Sequence, residues 1–468
     1  MVFSSFGFLC FFLPVIFALH TVLPGMKAKN ILLTAASVLF YAYGEPVFVL
    51  LLLLSVAVHY LLGRMLEAKH SRLPVILAVV LDLAALAVFK YAGLLTGTVN
   101  LLLPAAFQLP IPQIRLPIGI SFYTFQALSY VIDVYRGKTQ PQRSFWNLLL
   151  YISFFPQLIA GPIVQYRDVA EQIEARTADP EQMKRGAYRF ACGLGKKVLI
   201  ANVMAVAADA VFALPDAELG LLSAWLGAVA YLFQIYFDFS GYSDMAIGLG
   251  LLFGFRFREN FDYPYIAASV REFWKRWHLS LTSWFREYLY IPLGGNRRGK
   301  ARTVLNRYLV FLATGIWHGA SWTYLLWGLY HGTLQMVESA LPENRKRIPA
   351  LGHVYTLLAV LIGFVLFRAE SLPQTAAFLA AMLGFGATGG AGLQTALRLL
   401  DPYFCVFLGI AAVGATPLPA KLFRAFADRC KHPAVPELLS MLLSVCVLLL
   451  CLMALASQSY NPFIYFRF

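Results

Sequence analysis

The chain is poor in charge. Lys, Arg, Asp and Glu make up 13% of its 468 residues, whereas a soluble domain carries about 25%. Hydrophobic residues make up 59%. This composition excludes an ordinary soluble protein and indicates one whose main surroundings are the lipid bilayer.

The sequence also lacks the motifs of disulfide-bonded, metal-binding and several catalytic proteins. The six cysteines are scattered without a C-x-x-C spacing, so neither a disulfide framework nor a zinc site follows. The sequence has no H-E-x-x-H motif and no G-x-S-x-G nucleophile elbow. No histidine is followed five positions later by aspartate, as soluble glycerolipid-type acyltransferases require. We expect no bound metal or cofactor.

Long apolar runs recur from one end of the sequence to the other. A helix needs roughly 17 to 25 apolar residues to cross a bilayer, and such runs recur at about 6–24, 30–43 with 47–63, 73–92, 116–135, 196–214, 222–238, 322–338, 351–367, 401–415 and 436–456. They predict an all-α polytopic membrane protein with about 11 transmembrane helices, besides short re-entrant and interfacial helices.

The positive charge follows membrane topology. The net charge is +14, but the basic residues form short clusters between apolar runs, which is typical of cytoplasmic loops and not of a nucleic-acid surface. One crossing, 436–456, separates the last cluster from the C-terminal string NPFIYFRF (461–468). We therefore expect this aromatic tail to lie on the outer side.

The chain has no internal repeat, no linker and no outer loop long enough to fold alone. We expect one membrane domain over 1–468, with N-terminal helices in 1–110, a catalytic core in 111–340, and C-terminal helices and the tail in 341–468. Soluble chemistry outside the membrane would then need a partner protein.

The middle of the chain mixes charge with aromatic residues. Trp274, Trp277, Leu281, Trp284 and Tyr288 recur at steps of 3, 4, 3 and 4, which predicts one amphipathic helix. Basic residues on its other faces favour a position at the cytoplasmic interface. Packing on the membrane surface remains an equal alternative to a functional role for most of these residues.

Three of the eight histidines are candidates for chemistry. His318 lies in the apolar segment GIWHGASW, and an ionisable group at membrane depth points to function. A neutral imidazole can act as a general base near physiological pH, although a hydrogen-bonded structural histidine is the alternative. The other two candidates are His278 and His331. We expect interfacial packing for His20, His59, His70, His353 and His432.

The spacing of the candidates suggests how they pair. His331 follows His318 by 13 positions, which in one continuous helix sets the imidazoles about 140° apart and about 20 Å along the axis. They could not share a metal in that arrangement. A partner for His318 is better sought in His278, which lies on a separate element.

Five ordered motifs resemble one known family. SFYTFQALSYVIDVYRG, FFPQLIAGPIVQY, FSGYSDMAIGLGLLFGF, NFDYPYIAASVREFWKRWHLSLTSWFREYLYIPLGGNR and WHGASWTYLLWGLYHG together resemble the bacterial membrane-bound O-acyltransferase superfamily, most closely its alginate O-acetyltransferase branch. The likeness covers about 5–468 and is densest at 115–335.

The resemblance implies a membrane-embedded funnel in which a cytoplasmic acyl donor meets an acceptor from the other face. The superfamily's near-invariant histidine falls on His318 and its second conserved polar position on His278, while His331 would be secondary. Acyl transfer needs a base and a group that stabilises the developing oxyanion, so we expect His318 to be the base and His278 to orient or stabilise. With acetyl-CoA as the expected donor, cytoplasmic cations could attract its phosphates, though topology explains them equally well: Arg271, Lys275, Arg276, Arg297 and Arg298.

The branch also implies a product and a partner. The expected activity is acetylation of an extracytoplasmic polysaccharide, of the alginate, peptidoglycan or cellulose type, from the bacterial inner membrane through a partner of the Ser-Gly-Asn-His (SGNH) type. A D-alanyl transfer protein of teichoic-acid modification, or a transporter or export scaffold, is the alternative. The tail resembles an aromatic motif of the D-alanylation system, which makes Tyr465 either an acyl relay or an interfacial anchor.

Overall fold

The computed structural model describes residues 2–177, 179–341, 349–457, 460, 461 and 464. Its regular structure within these residues is helical throughout, so the all-α prediction is confirmed. The helices are α1 (Leu13–Val22), α2 (Met26–Gly44), α3 (Phe48–Ala68), α4 (Leu73–Leu86), α5 (Ala92–Asn100), α6 (Ile120–Tyr135), α7 (Phe145–Ser153), α8 (Phe155–Leu158), α9 (Tyr166–Glu174), α10 (Pro180–Gly195), α11 (Asn202–Phe212), α12 (Leu221–Leu252), α13 (Val270–Phe273), α14 (Leu279–Phe285), α15 (Lys300–His318), α16 (Trp322–Ala340), α17 (Pro349–Arg368), α18 (Leu372–Met382), α19 (Ala391–Leu399), α20 (Pro402–Gly414), α21 (Leu418–Arg429) and α22 (Ala434–Ser457).

Length and composition support fewer crossings than the sequence predicts. Six helical segments can span a bilayer: Phe48–Ala68, Leu73–Asn100, Pro180–Phe212, Leu221–Leu252, Ala350–Arg368 and Ala434–Ser457. The pair α19 and α20, bent by 70°, would make a seventh. Within the described residues the count of about 11 is therefore not confirmed. The run at 116–135, for example, forms α6, which has only 16 residues.

The chain divides into two compact units. One consists of Met1–Phe190 and Met245–Arg258, and the other of Ala191–Asp244 and Glu259–Phe468. In the first unit, α6 is buried along its whole length from Ile120 to Val134. α3 lies so close to α6 that a methyl group added at Gly63 would approach Cε1 of Tyr130 to 2.8 Å. This close approach of two helices is typical of membrane proteins, in which small residues lie at helix contacts.

One of the histidines expected to pack at the interface belongs instead to a buried pair. His59 lies within α3 of the first unit, and its Nε2 is 3.1 Å from Oδ2 of Asp82 on α4. Its Nδ1 lies 2.8 Å from the carbonyl oxygen of Ser55. The expectation for His59 was wrong because its polar partner is 23 residues away and becomes a neighbour only when α3 and α4 pack.

In the second unit, α15 and α16 form a helical hairpin. α15 ends at His318 because Gly319 takes an extended conformation, and Ser321 then caps α16 by accepting a hydrogen bond from the Thr323 amide. The two helices touch backbone to backbone, since a methyl at Gly315 would lie 3.4 Å from the Cα of Gly328. The segment that could have been one long helix is thus folded back on itself.

The predicted amphipathic helix over 274–288 is wrong. α13 ends at Phe273, the chain turns, and α14 begins at Leu279. The break is at His278, whose φ of 46° and ψ of 56° are left-handed, a conformation that costs a non-glycine residue about 1–3 kcal/mol. The apolar stripe is buried, as expected of packing residues. Trp274 and Trp277 lie in the turn, Leu281 and Trp284 lie on α14, and Tyr288 lies just after it.

Candidate active site

His318 lies at the end of α15 inside a cage of aromatic rings. The side chain is buried, and the ring centroids of Trp317, Trp327 and Phe367 lie 4.9, 5.2 and 5.1 Å from its own. Such surroundings offer the ring little contact with water, and a charged group is poorly solvated among apolar rings.

His331 lies on α16 next to the same indole. Its ring centroid is 5.1 Å from that of Trp327 and 5.2 Å from that of Trp274. The separation of about 20 Å expected for one continuous helix does not apply, because the break after His318 turns α16 back along α15. His318 and His331 therefore flank Trp327.

His278 is held by a network of hydrogen bonds. Its Nδ1 is 3.1 Å from Oδ1 of Asn260, an oxygen that also accepts the backbone N–H of Ser280 at 3.2 Å. The amide nitrogen of Asn260 donates to Oγ of Ser243 on α12 at 3.0 Å. The backbone carbonyl of Asn260 accepts the N–H of Leu279 at 2.9 Å. These bonds stabilise the left-handed turn and fix the imidazole.

The structure brings His278 and His318 together, as the sequence predicts. The ring of Trp317 contacts both, with centroids 6.2 Å from His278 and 4.9 Å from His318. Complete burial, and to a lesser degree the nearby His318, holds the pKa of His278 well below its ordinary value. His278 is therefore a neutral imidazole at physiological pH, able to accept a proton.

A small cavity of about 170 Å³ lies on one side of the aromatic cage. Trp274, which contacts both His331 and Trp327, forms part of its wall. Two arginines, Arg286 and Arg307, also line it. Since ligand pockets usually measure about 300–1,000 Å³, this cavity can hold part of an extended ligand and offers cations to an anionic group.

A larger cavity of about 600 Å³ adjoins the cage through Phe367. Phe367 contacts both His318 and Tyr324, and the latter also lines the cavity. An ion pair faces it, in which Nη2 of Arg368 lies 2.7 Å from Oδ1 of Asp209. Two cavities of different chemistry thus adjoin the rings around His318 within the second unit, one at Trp274 and the other at Phe367.

The cations named from the sequence do not line the smaller cavity. Arg276 is bound to two carboxylates, with Nη1 2.7 Å from Oδ2 of Asp262 and Nε 3.0 Å from Oε1 of Glu272. The other four, Arg271, Lys275, Arg297 and Arg298, are exposed. Their role toward an anionic donor stays a prediction, whereas Arg286 and Arg307 are the cations that sequence reasoning missed.

The described residues of the C-terminal segment each form a hydrogen bond with another part of the second unit. The backbone N–H of Ile464, a residue that lines the larger cavity, donates to Oδ2 of Asp238 at 2.8 Å. Asp238 is buried and pairs with Nζ of Lys197 at 2.7 Å. Nδ2 of Asn202 donates to Oδ1 of Asn461 at 3.2 Å, and the Tyr460 hydroxyl donates to Asp209. Tyr465 lies outside the described residues, so its predicted role stays a prediction.

Within the part of the chain that the structure describes, no group of three His, Cys, Asp or Glu side chains could hold a metal ion. The most important residue missed by sequence reasoning is Asn260. It stands inside the motif NFDYPY, 18 positions before His278, and no helical or strand period connects the two. Only the folded turn makes them neighbours.

The profile of the membrane-bound O-acyltransferase family matches residues 142–372. A probable alginate O-acetylase, AlgI, of Pseudomonas putida is 41% identical over 100% of both chains. A peptidoglycan O-acetyltransferase of Helicobacter pylori is 34% identical over 82% of this chain and 80% of its own. A teichoic acid D-alanyltransferase of Bacillus subtilis is 29% identical over 53% of this chain and 65% of its own.

Proposed function

Because the chain belongs to the membrane-bound O-acyltransferase family, we propose that this multi-pass O-acyltransferase moves acetyl from cytoplasmic acetyl-CoA to an extracytoplasmic polysaccharide. The observation that carries the proposal is that His278 and His318 lie close together among aromatic rings, and that two cavities adjoin these rings. One cavity would take the donor and the other the acceptor.

The reaction needs few groups from the protein. An acceptor hydroxyl attacks the thioester carbonyl, so that a C–O bond forms, the C–S bond breaks and the hydroxyl proton passes to a base. An unprotonated imidazole among apolar rings suits this step, because it can accept the proton and the rings limit hydrolysis of the thioester. The sequence analysis gave His318 the role of base and His278 an orienting or stabilising role. The proposed activity requires only that the pair act together.

The smaller cavity is the better candidate for the donor. Arg286 and Arg307 line it, and arginine is well suited to bind the phosphates of coenzyme A. Trp274 in its wall contacts Trp327 of the cage, so a thioester reaching past these indoles would approach the histidines. On this view the larger cavity belongs to the acceptor.

The acceptor and partner follow from the relatives. AlgI of P. putida and the H. pylori enzyme are named for acetyl transfer to alginate and to peptidoglycan, and a polymer of this kind, or cellulose, is the proposed final acceptor. We expect the protein to work in the bacterial inner membrane with an SGNH-type partner that completes the transfer outside. A D-alanyltransferase function is less favoured, because that relative matches only 53% of the chain.

Tyr465 is proposed as a relay that carries acetyl between the cage and the partner. Its neighbour Ile464 lines the larger cavity and is bound to Asp238, which supports a docked tail. A phenol, with a pKa near 10, needs a base such as His318 to become a nucleophile. Tyr465→Phe preserves the ring and removes the hydroxyl, so unimpaired polymer acetylation in this variant would favour an interfacial anchor instead.

The proposed function is tested in cells. Deletion of the gene should remove acetyl ester from the exopolysaccharide or cell wall, measured by mass spectrometry, and the wild-type gene should restore it. His318→Ala should fail to restore acetylation although immunoblotting detects normal amounts of protein in the membrane. Full acetylation with His318→Ala would rule out the site, and unchanged acetyl content on deletion would rule out the activity.

A further inference from the structure

The hydrogen bonds around His278 determine which of its ring nitrogens carries the proton. The backbone N–H of Ser280 can only donate, and it points at the Asn260 side chain at 3.2 Å. The atom facing it must therefore be the amide oxygen, because the amide nitrogen is a donor too. This fixes the orientation of the Asn260 amide, which then donates from its nitrogen to Oγ of Ser243 at 3.0 Å.

The fixed amide in turn fixes the imidazole. Nδ1 of His278 lies 3.1 Å from the same oxygen of Asn260. The Ser280 hydroxyl lies 2.9 Å from this oxygen and 3.4 Å from Nδ1, so it donates to the nearer oxygen. An oxygen lone pair facing a nitrogen lone pair would be repulsive, so Nδ1 carries the hydrogen and donates it. In a neutral imidazole the other nitrogen, Nε2, then has only a lone pair.

Nε2 of His278 is buried and has no hydrogen-bond partner among the described residues. Aromatic rings surround the imidazole, with the centroid of Phe239 4.6 Å and that of Trp317 6.2 Å away. A buried acceptor that lacks a donor costs free energy. An unpaired acceptor such as Nε2 is typical of a site in which a bound ligand donates the missing hydrogen bond.

We infer that His278 is the proton acceptor of the transfer reaction, through Nε2, and that Asn260 is the positioning residue that holds it in this tautomer. The inference rests on the proposed function and revises the division of roles within it. A neutral His278 cannot donate from Nε2, so it cannot stabilise an oxyanion in the way the sequence analysis expected.

The proton balance follows. As the acceptor oxygen bonds to the thioester carbon, its hydrogen passes to Nε2 of His278, and the imidazolium keeps its Nδ1 hydrogen on Asn260. When the C–S bond breaks, the sulfur leaves as thiolate and takes the proton from Nε2, which restores the neutral imidazole. Among the described residues, the titratable group that acts on His278 is His318.

Two substitutions of Asn260 test whether it positions His278 through a hydrogen bond or only fills space beside it. Asn260→Leu removes the oxygen that accepts from Nδ1, and we expect kcat for acetyl transfer to fall by about 10²-fold with little change in the KM for acetyl-CoA, as for loss of an orienting partner. Asn260→Asp keeps the oxygen and should retain much of the activity. Its carboxylate favours the imidazolium, so the acidic limb of the kcat–pH profile should move up by about one unit or more.

The assay uses full-length protein in membrane vesicles, labelled acetyl-CoA and the polymer fraction of the same cells. Asn306→Leu is the matched control, because Asn306 is also a buried asparagine but bonds the carbonyl oxygens of Leu293 and Gly295. It should lower the midpoint of thermal unfolding and leave the pH profile of the remaining activity unchanged. An Asn260→Leu variant with wild-type kcat and pH profile would overturn the inference, as would an Asn260→Asp variant as inactive as Asn260→Leu.

A second measurement is independent of activity. In the nitrogen-15 spectrum of histidine-labelled full-length protein in bilayers, the resonances lost in His278→Ala should show a protonated Nδ1 and an unprotonated Nε2. The opposite tautomer would refute the assignment even if acetyl transfer were demonstrated. Conversely, the expected tautomer in a protein that transfers no acetyl would refute the proposed function and the catalytic role, and leave the positioning by Asn260 intact.

Discussion

The contact between α15 and α16 should be essential for the site, and Gly315→Ala tests it. Gly315 stands three residues before His318. A methyl group there would lie 3.2 Å from the carbonyl carbon of Tyr324, and closer still to its oxygen, whereas ordinary contacts are 3.4–4 Å. The obstacle is backbone on α16, which cannot rotate away as a side chain would. The hairpin must therefore open by on the order of 1 Å, since packed interiors have little free space.

This displacement has two measurable consequences. Forcing extra volume into a packed contact typically costs about 1–3 kcal/mol, so the midpoint of thermal unfolding of the purified protein should fall by a few degrees. His318 is carried along by its helix, and a misplacement of about 1 Å in a reacting group can cost about 10²-fold in rate. Acetyl transfer in membrane vesicles should thus suffer far more than stability.

Gly409→Ala is the matched control for this experiment. Gly409 lies in α20 of the same unit, and nothing is found within 4 Å of the position that its methyl would take. Alanine is the better helix former by about 1 kcal/mol, so this variant should be as stable as wild type or slightly more so, with full activity. If Gly315→Ala behaved like Gly409→Ala in both assays, the close approach of α15 and α16 and its role in placing His318 would be refuted.

Three further outcomes are expected. Arg307→Gln should raise the KM for acetyl-CoA by several-fold with little change in kcat, because Arg307 lines the smaller cavity; an unchanged KM would remove the donor from that cavity. Asp82→Asn should lower the thermal midpoint of the protein, since breaking a buried pair costs about 3–5 kcal/mol, and an unaltered melting curve would contradict the pairing with His59. Asp238→Leu combined with Lys197→Met should release the tail and speed its removal by carboxypeptidase; tail removal at the wild-type rate would refute the anchor at Ile464.

The location of the candidate site could be predicted from residue types and from the apolar segments around them. A histidine in an apolar segment has few structural reasons to be there, so His318 stood out before any fold was known. His278 followed as a partner on a separate element, and the structure brings the two together at Trp317. Both inferences use only the residue types and their neighbours in sequence, which do not depend on how the chain folds.

The errors share a physical origin. The regular spacing over 274–288 predicted the buried apolar residues correctly. It could not show that Asn260 forms hydrogen bonds with the turn at His278, which replace those of a continuous helix. His59 was judged by its sequence neighbours, whereas its partner Asp82 lies on another helix. In each case a contact between distant segments outweighed the local pattern.

The sequence by itself determined that this protein belongs in a membrane, that it is helical, and which imidazoles are the candidates for acyl transfer, because hydropathy and residue chemistry are properties of the chain. The tertiary structure alone decided the tautomer of His278, the folding back of α16 on α15, and the arginines that line the smaller cavity. These depend on distances between residues far apart in sequence, and such distances exist only once the helices have packed.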